Sequence, residues 1–353
     1  METMTRYEKA LAILREGTVI PATTLALDEN RQFDEARQRL LTRYYLEAGS
    51  GGVATAVHST QFEIRLPQYN LFERVISTVV DEIRLYEEET GRTVVRVCGV
   101  CGPVEQALRE AKTARRLGFD AVLLSPGGLN ALSEEEMLAR TKAVAEVMPV
   151  IGFYLQTAVG GRVFSYDYWA RLAEIEGVVA IKCASFNRYT TLDVVRAVTL
   201  SSRADQIALY TGNDDNIVID LLTKYRFEKD GRTVENGFRG GLLGHWSIWT
   251  AKVVEMFRML RDAEPTAELL TLAAQVTDCN SAFFDTAHNF RGCIAGMHEV
   301  LRRQGLIESI CCLNPEETLS PGQAEEIDRV YAAYPHLNDD AFVREYLKRR
   351  AAR

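Results

Sequence analysis

A short apolar segment followed by an amphipathic helix recurs along most of this chain, and that repetition constrains the fold more than any other feature. Strand-like runs occupy 18–24, 52–57, 93–100, 119–125, 149–155, 178–184 and 206–212, and helical patterns follow at 34–48, 68–90, 103–117, 133–147, 165–176, 189–201 and 214–224. An eighth, weaker strand at 238–244 precedes a helix over about 247–262. Continuous apolar runs are typical of parallel strands buried on both faces. Eight such units predict an α/β fold of the (β/α)₈ TIM barrel type.

An open doubly wound sheet is the alternative fold, but no strand-like run is followed by the pattern G-x-G-x-x-G. We therefore assign residues 1–262 to the barrel, with a polar insertion near 225–240 that contains a turn at Asp230–Gly231. Beyond 263 the apolar periodicity is purely helical, at 265–279, 283–304 and 320–333. Residues 263–353 are therefore predicted to form a C-terminal helical extension packed on the barrel.

Composition limits the classes of partner that this chain is expected to have. It has 353 residues, with 41 basic and 49 acidic side chains and a net charge of −8, so no broad cationic face for nucleic acid is expected. No apolar stretch approaches the roughly 20 residues that cross a membrane, and the charged N-terminal segment lacks the apolar core of a secretory signal. The seven scattered cysteines indicate reduced thiols and a cytoplasmic protein.

Metal and redox sites are not expected from the spacing of the cysteines and histidines. Cys98 and Cys101 form a C-x-x-C pattern, but they lie in a strand-like run, where positions three apart face opposite sides. The five histidines show no zinc-like spacing. We therefore predict no bound metal and no separate cofactor.

One lysine lies in an apolar strand, in the segment "GVVAIKCAS" at 177–185. Lysine is rarely buried without a partner, so Lys182 is either half of a structural ion pair or a nucleophile. Burial disfavours the ammonium and lowers its pKa, and a neutral amine can attack a carbonyl carbon to form a Schiff base. Tyr154 ends the preceding strand, and its phenol is either a general acid/base for such chemistry or a core aromatic group.

Further polar residues follow the second and seventh strands, where the active sites of barrels lie. They are His58, Ser59 and Thr60 after the second strand, and Gly212, Asn213, Asp214 and Asp215 at the end of the seventh. Ser59 and Thr60 are candidates for binding a substrate carboxylate. Gly212 and Asn213 are candidates for lining the opening of the active site at the carboxyl ends of the barrel strands. Capping of the following helix is the alternative role of Asn213 and Asp214.

Together these elements resemble the dihydrodipicolinate synthase / N-acetylneuraminate lyase family of class I aldolases. The resemblance extends from "TVIPATT" to "LRRQGLIESICCLNPEETLSPGQ" and includes "FY", "IKCAS" and "YTGNDD" at strand ends. It implies that Lys182 forms an imine with the 2-oxo group of pyruvate or a longer 2-oxo acid, and that Tyr154 is the acid/base. It also implies a barrel with a C-terminal helical extension, assembled as a homo-oligomer (tetramer or dimer).

Three departures mark a divergent member. The family's Gly-Thr-Thr-Gly-Glu loop reads "VHSTQFE" here, so that either His58 and Ser59 or Ser59 and Thr60 take the threonine positions. The family's Pro-Tyr-Tyr becomes "SPGGLN", which keeps Pro126 and places Gly127–Gly128 where a relay tyrosine is usual, so that His58 is a candidate to rebuild the relay. In "LQTAVGGR" the nearest arginine, Arg162, lies three residues beyond the place of the arginine that binds the aldehyde substrate in the synthases.

The sequence therefore predicts a Schiff-base lyase or aldolase that acts on a 2-oxo acid, either a pyruvate type or a 3-deoxy-2-oxo sugar acid, together with an aldehyde. The substrate-binding residues expected are Ser59, with Thr60 or His58, and Gly212 with Asn213. A dehydratase or hydratase-aldolase fits the same imine intermediate. A non-catalytic ligand-binding barrel, or a metal-dependent aldolase with Asp214, Asp215 or histidine ligands, is a weaker alternative. The glycine pair and the altered arginine suggest a roomier, less polar pocket than in the synthases.

Overall fold

The computed structural model describes residues 4–351 and contains ten β-strands in that part of the chain. They are β1 (Val19–Pro21), β2 (Gly52–Thr55), β3 (Val95–Val100), β4 (Ala121–Leu124), β5 (Val150–Leu155), β6 (Val178–Ala184), β7 (Ala208–Thr211), β8 (Tyr225–Lys229), β9 (Arg232–Asn236) and β10 (Phe238–Leu243). Eight of them form one sheet in the order β1-β10-β7-β6-β5-β4-β3-β2, and β8 and β9 form a separate ribbon. The weak eighth strand predicted at 238–244 is therefore confirmed as β10.

Helices connect the strands and form the C-terminal part of the chain. They are α1 (Arg6–Glu16), α2 (Glu35–Glu47), α3 (Phe72–Thr90), α4 (Val104–Arg116), α5 (Glu134–Ala145), α6 (Tyr166–Ala173), α7 (Arg188–Leu200), α8 (Ile217–Leu222), α9 (Thr250–Leu260), α10 (Ala267–Phe283), α11 (Cys293–Arg303), α12 (Gln323–Ala333) and α13 (Asp340–Ala351). The parallel strands with helices between them confirm the (β/α)₈ barrel with C-terminal helices. Among the helices of residues 4–351, none has the length and apolar character needed to span a bilayer.

The described chain divides into two compact units, each built from two stretches of sequence. Unit 1 comprises residues 4–18 and 95–242, and unit 2 comprises residues 19–94 and 243–351. The sequence-based boundary near residue 262 stays a prediction.

In unit 1, the register of strands β5, β6 and β7 decides which side chains share a face. Phe153 of β5, Lys182 of β6 and Tyr210 of β7 are partners across the parallel ladder, so their side chains point to one face of the sheet. Tyr154 and Cys183, one residue further along each strand, point to the other face. Helices α6 and α7 cover that second face, whereas the first is the interior face of a barrel.

The polar insertion of unit 1 is a β-hairpin. Strands β8 and β9 pair antiparallel, and Lys229 and Arg232 are the last partners before the turn. Asp230 and Gly231 have φ values of 50° and 71°, as the two central residues of a tight hairpin turn require. The turn expected at Asp230–Gly231 is confirmed, and the flanking residues, expected only as an insertion, are strands.

Unit 2 has a helical core, and one predicted helix in it is wrong. A continuous helix was expected over 283–304. In the structure α10 ends at Phe283 and the next helix, α11, begins only at Cys293. Between them Asp285 adopts a left-handed conformation, and its carboxylate accepts hydrogen bonds from the Gly292 N–H (2.9 Å) and the Ser320 hydroxyl (2.5 Å). Apolar periodicity continued through this segment, but the side-chain bonds to Asp285 favour a turn over a helix.

Candidate active site

Lys182 occupies the interior face of β6, close to the end of the strand. Its side chain is buried, with the residue 8% exposed, and its Nζ lies 4.4 Å from the centroid of the Phe153 ring. Such a contact attracts the ammonium to the face of the ring. The sequence analysis did not single out Phe153, because only the pairing register shows that it, and not its neighbour Tyr154, faces the lysine.

Gly212, directly after β7, leaves space for the Lys182 side chain because it has no Cβ atom. A Cβ atom at this position would lie 2.6 Å from the Lys182 Cε and 2.8 Å from the Ala184 Cβ, which is too close for carbon atoms. The residue was expected to bind substrate. The structure shows a packing role, since a glycine permits this path of the lysine, and the expected contact with substrate stays a prediction.

The electrostatic environment lowers the basicity of the amine. Burial lowers the pKa of the Lys182 ammonium from 10.5 to about 8, while the negative charge of Asp214 acts in the opposite direction. At neutral pH a lysine with this pKa has a far larger neutral fraction than an exposed lysine has. A neutral amine is the form that adds to carbonyl carbons.

The Tyr154 side chain points to the other face of the sheet from Lys182, and its role as the acid/base stays a prediction. Its ring stacks on Trp169 of α6 at 5.1 Å between centroids and 22° between planes, and it meets Phe164 edge-on at 6.2 Å. Burial raises the pKa of its phenol, opposed by hydrogen bonding to Thr190. The cause is strand alternation, which sends consecutive residues to opposite faces.

A buried carboxylate organises the loops that follow β6 and β7. Asp220 of α8 is fully buried and accepts hydrogen bonds from Thr211 (2.7 Å), Asn213 (2.8 Å) and Arg188 (2.6 Å). Two neutral donors and one cationic donor offset the cost of burying this charge. Nothing in the sequence marked Asp220, because it lies inside a short helix rather than at the end of a strand.

Asn213 is part of this structural network. Its Oδ1 accepts from the Phe186 N–H at 3.0 Å, and Phe186 has φ = 52°, an unusual conformation for an aromatic residue. Helix α8 begins after Asn216, so the expectation that Asn213 caps it is wrong. Because both ends of the Asn213 amide are bonded within the protein, its expected contact with substrate has no support in this geometry.

In unit 2, the loop after β2 carries the expected carboxylate-binding residues. The hydroxyl of Ser59 donates to the Ala22 carbonyl at 2.7 Å, and that of Thr60 donates to the Thr23 carbonyl at 2.7 Å. The protons of both hydroxyls are thus engaged with the backbone that follows β1. The ring of His58 contacts Phe62 at 5.9 Å between centroids. A role of these three residues in binding a carboxylate stays a prediction.

The residue after Thr60 identifies the better of the two alignments. Gln61 has φ = 67°, a conformation that favours glycine, and its Oε1 accepts from the Leu313 N–H at 2.6 Å. The pattern Gly-Thr-Thr-Gly-Glu places its second glycine there only if Ser59 and Thr60 take the threonine positions. The backbone therefore favours that alignment over the one that uses His58.

The loops after β4 and β5 in unit 1 are glycine-rich and packed together. The Gly128 N–H donates to the Gly160 carbonyl at 3.4 Å. A Cβ at Gly127 would lie 3.4 Å from the side chain of Leu155, which points to the same face of β5 as Phe153. Arg162 donates to the Leu132 carbonyl and lies over the Phe164 ring at 5.1 Å. Its guanidinium is thus bound within the protein between these loops.

Comparison with known proteins identifies the family. The sequence pattern of the Dihydrodipicolinate synthetase family matches residues 16–332. The chain is 27% identical over 208 residues to a 4-hydroxy-tetrahydrodipicolinate synthase of Desulforudis audaxviator, covering 58% of this chain and 66% of that protein. It is also 27% identical over 196 residues to an uncharacterized DapA-like lyase of Rhizobium meliloti, covering 55% and 60%. The matched segments thus span less than two thirds of these relatives.

Solved structures agree in fold at low sequence identity. A chloride-inhibited dihydrodipicolinate synthase from Acinetobacter baumannii, complexed with pyruvate, superposes with a TM-score of 0.72 at 19% identity, covering 90% of this chain and 98% of that one. An N-acetylneuraminate lyase from Fusobacterium nucleatum, also complexed with pyruvate, gives a TM-score of 0.70 at 15% identity, with coverages of 91% and 97%. With the family match over most of its length, the chain belongs to the dihydrodipicolinate synthetase family.

Proposed function

We propose that this protein is a lyase that forms a Schiff base between Lys182 and a 2-oxo acid. The observation that carries the proposal is the burial of the lysine at the end of β6, which lowers the pKa of its ammonium to about 8. Membership of a family in which related structures are complexed with pyruvate supports a 2-oxo acid as the substrate class.

The chemistry requires no separate cofactor. The neutral amine adds to C2 of the 2-oxo acid, and loss of water gives an iminium ion. In a 4-hydroxy-2-oxo acid, the 4-hydroxyl loses its proton, the C3–C4 bond breaks, and its electron pair moves into the iminium to give an enamine and an aldehyde. Protonation at C3 and hydrolysis then release the shortened 2-oxo acid and the free lysine. Loss of the 4-hydroxyl as water from the same intermediate is the dehydratase alternative, and analysis of the products distinguishes the two.

We further propose that the aldehyde portion of the substrate is apolar and carries no second carboxylate. Phe153 lies against the lysine amine, and Leu155 continues the same face towards Gly127. The nearest arginine in sequence, Arg162, is already bound to a backbone carbonyl and an aromatic ring. Aldehyde release confined to small, carboxylate-bearing substrates would contradict this part of the proposal.

Reductive trapping tests the imine directly. The protein is incubated with pyruvate and borohydride, its intact mass is measured, and the modified peptide is mapped. We expect one adduct on Lys182, and none in Lys182→Ala. Because the amine must be neutral to react, the trapping rate should fall about tenfold per pH unit below a pH of about 8.

Lys229→Ala is the matched control, because this half-buried lysine of the hairpin binds the Ser201 carbonyl, away from the ends of β5 and β6. It should be trapped like the wild type. An adduct that maps to a different lysine, or no adduct with pyruvate and a panel of longer 2-oxo acids, would exclude the proposed function. In the second case a ligand-binding barrel would be the better description.

A further inference from the structure

We propose that a cavity in unit 2 is a second ligand site, which binds an uncharged, apolar small molecule that carries one hydroxyl or carbonyl group. The cavity has a volume of about 400 Å³ and lies between α9, α10 and the connection from α12 to α13. Lys182 does not line it, so this inference does not depend on the proposed Schiff base.

The walls of the cavity are apolar side chains from three separate segments of the chain. They are Val253, Met256 and Met259 of α9, Leu272 and Val276 of α10, and Leu337 of the connection between α12 and α13. Val253, Met256 and Val276 are buried, whereas Met259 is 49% exposed, so the wall extends from the interior to an opening. A concave site with such walls is typical of small-molecule binding, and methionine side chains adapt to the shape of what they contact.

A buried polar side chain also lines the cavity. His245 follows β10 in a short turn and is 3% exposed. Its ring lies 6.4 Å from the Phe283 ring between centroids, with 25° between the planes. Burial lowers the pKa of its imidazole from 6.5 to about 4, opposed by hydrogen bonding to Asn280, so the ring is neutral near pH 7. A neutral imidazole has one N–H donor and one acceptor nitrogen, which suit a hydroxyl or carbonyl group among apolar walls.

The charged groups around the cavity exclude a charged ligand. The Lys252 ammonium donates to the Glu255 carboxylate at 2.7 Å, so the two charges compensate each other. The exposed His336 donates from Nε2 to the Gln275 Oε1 at 3.0 Å. A ligand carboxylate would lie near Glu255, and a ligand ammonium near Lys252. An uncharged ligand avoids both the repulsion and the desolvation of an ionic group.

The depth of the cavity favours a small molecule over a protein partner. Exposed apolar side chains such as Met259 and Leu270 are typical of protein interfaces. Val253, Val276 and His245 lie beneath the surface, where the face of a partner protein would not reach them. A small molecule contacts both the buried wall and the imidazole, whereas a partner protein would cover only the opening.

Methionine methyl groups report on this site directly. The full chain is isotope-labelled at its methionine methyl groups, n-octanol is added, and the methyl signals are followed by NMR. Met256 and Met259 line the cavity, and Met137 and Met148 of unit 1 are internal controls. We expect n-octanol to shift the first two signals with saturation at about 1 mM or below, and to leave the control signals unchanged.

Probes of matched chain length test the charge of the ligand. Octanoate and octylammonium replace the hydroxyl of n-octanol by an anionic or a cationic group. Each should bind at least about tenfold more weakly than n-octanol, because an ionic head group loses its hydration beside the Lys252–Glu255 pair.

Two variants test the two parts of the site. His245→Phe keeps an aromatic ring but removes the hydrogen-bonding nitrogens, so n-octanol should bind about tenfold more weakly. Val276→Trp fills the cavity and should abolish the octanol-induced shifts. The matched control is His288→Phe, because this partly exposed histidine of unit 2 contacts Asp285 and does not line the cavity; it should bind n-octanol like the wild type. A cooperative unfolding transition in denaturant shows that each variant is folded.

Three results would overturn the assignment. The first is the absence of any octanol-induced shift at Met256 and Met259, and the second is octanoate binding as tight as that of n-octanol. The third is a shift of the same signals with protein concentration alone, together with a dimer in sedimentation that Met259→Glu abolishes, which would make a second copy of the chain the occupant. Trapping of Lys182 with pyruvate is measured separately, so a failure of the proposed function leaves these outcomes intact.

Discussion

The two faces of strands β5, β6 and β7 differ in how their polar groups are satisfied. On the helix-covered face, Thr211 bonds to the buried Asp220 carboxylate, Cys183 points to Thr191, and Tyr154 packs on Trp169. On the interior face, the Lys182 amine lies over an aromatic ring with a glycine beside it. Residues adjacent in sequence thus differ in environment: the polar groups of the helix-covered face are bonded within the protein, whereas the interior face carries the lysine that we propose as the nucleophile.

This difference has a physical origin in the cost of burying charge. Asp220 is buried with several donors around it, so its charge is compensated and contributes to the stability of the fold. Lys182 is buried with little compensation beyond the Phe153 ring and the charge of Asp214, so its pKa falls. An under-compensated buried charge is a typical sign of a functional group.

The largest effect on stability is expected from removing the Asp220 carboxylate, which accepts hydrogen bonds on the helix-covered face. Asp220→Ala removes the acceptor of Thr211, Asn213 and Arg188, and leaves two buried donors unpaired. We expect the free energy of unfolding to fall by about 3 kcal/mol, measured by denaturant titration. Asp215→Asn, which removes only a half-exposed ion pair with Arg188, should cost less than about 1 kcal/mol. Equal losses in the two variants would show that the Asp220 network does not stabilise this face.

A pair of glycine substitutions compares the two faces directly. Gly212→Ala introduces a Cβ 2.6 Å from the Lys182 Cε, so the lysine must move, and we expect the rate of reductive trapping to fall about a hundredfold. Gly152→Ala introduces a Cβ 3.1 Å from Leu172 on the helix-covered face, and should cost about 1–2 kcal/mol of stability with trapping changed less than about threefold. Equal effects of both variants on trapping would contradict the separation of the faces.

The fold could be predicted from sequence because parallel barrel strands are buried on both sides and read as apolar runs. The segments that form β5 and β6 are such apolar runs, and even the weaker run at 238–244 forms a barrel strand, β10. The connection between α10 and α11 could not be predicted in this way. There Asp285 forms bonds to Gly292 and Ser320, and such contacts between distant residues override local periodicity.

The candidate site was predictable only in part. Lys182 could be identified as a charge in an apolar strand, but whether Phe153 or Tyr154 faces it depends on the register between β5 and β6. A shift of one residue exchanges the two faces, and apolar residues on both sides leave no alternation from which to infer it. Similarly, Asn213 ends a strand as a ligand-binding residue would, yet its bonds to Phe186 and Asp220 are visible only in the structure.

The smallest effect is expected from Tyr154→Phe, and it bears most directly on the comparison of the two faces. The ring of Tyr154 packs on Trp169 on the helix-covered face, and this packing is kept in phenylalanine, so we expect the free energy of unfolding to change by no more than about 1 kcal/mol. Exchange of the pyruvate methyl protons for deuterium, followed by NMR in D₂O, should stay within about threefold of wild type, because the ring stacked on Trp169 is directed away from the lysine. A general acid/base beside the imine would instead contribute about a hundredfold or more. The measured exchange rate therefore decides whether Tyr154 belongs to the structural face, as its packing indicates, or moves to the lysine when a substrate binds.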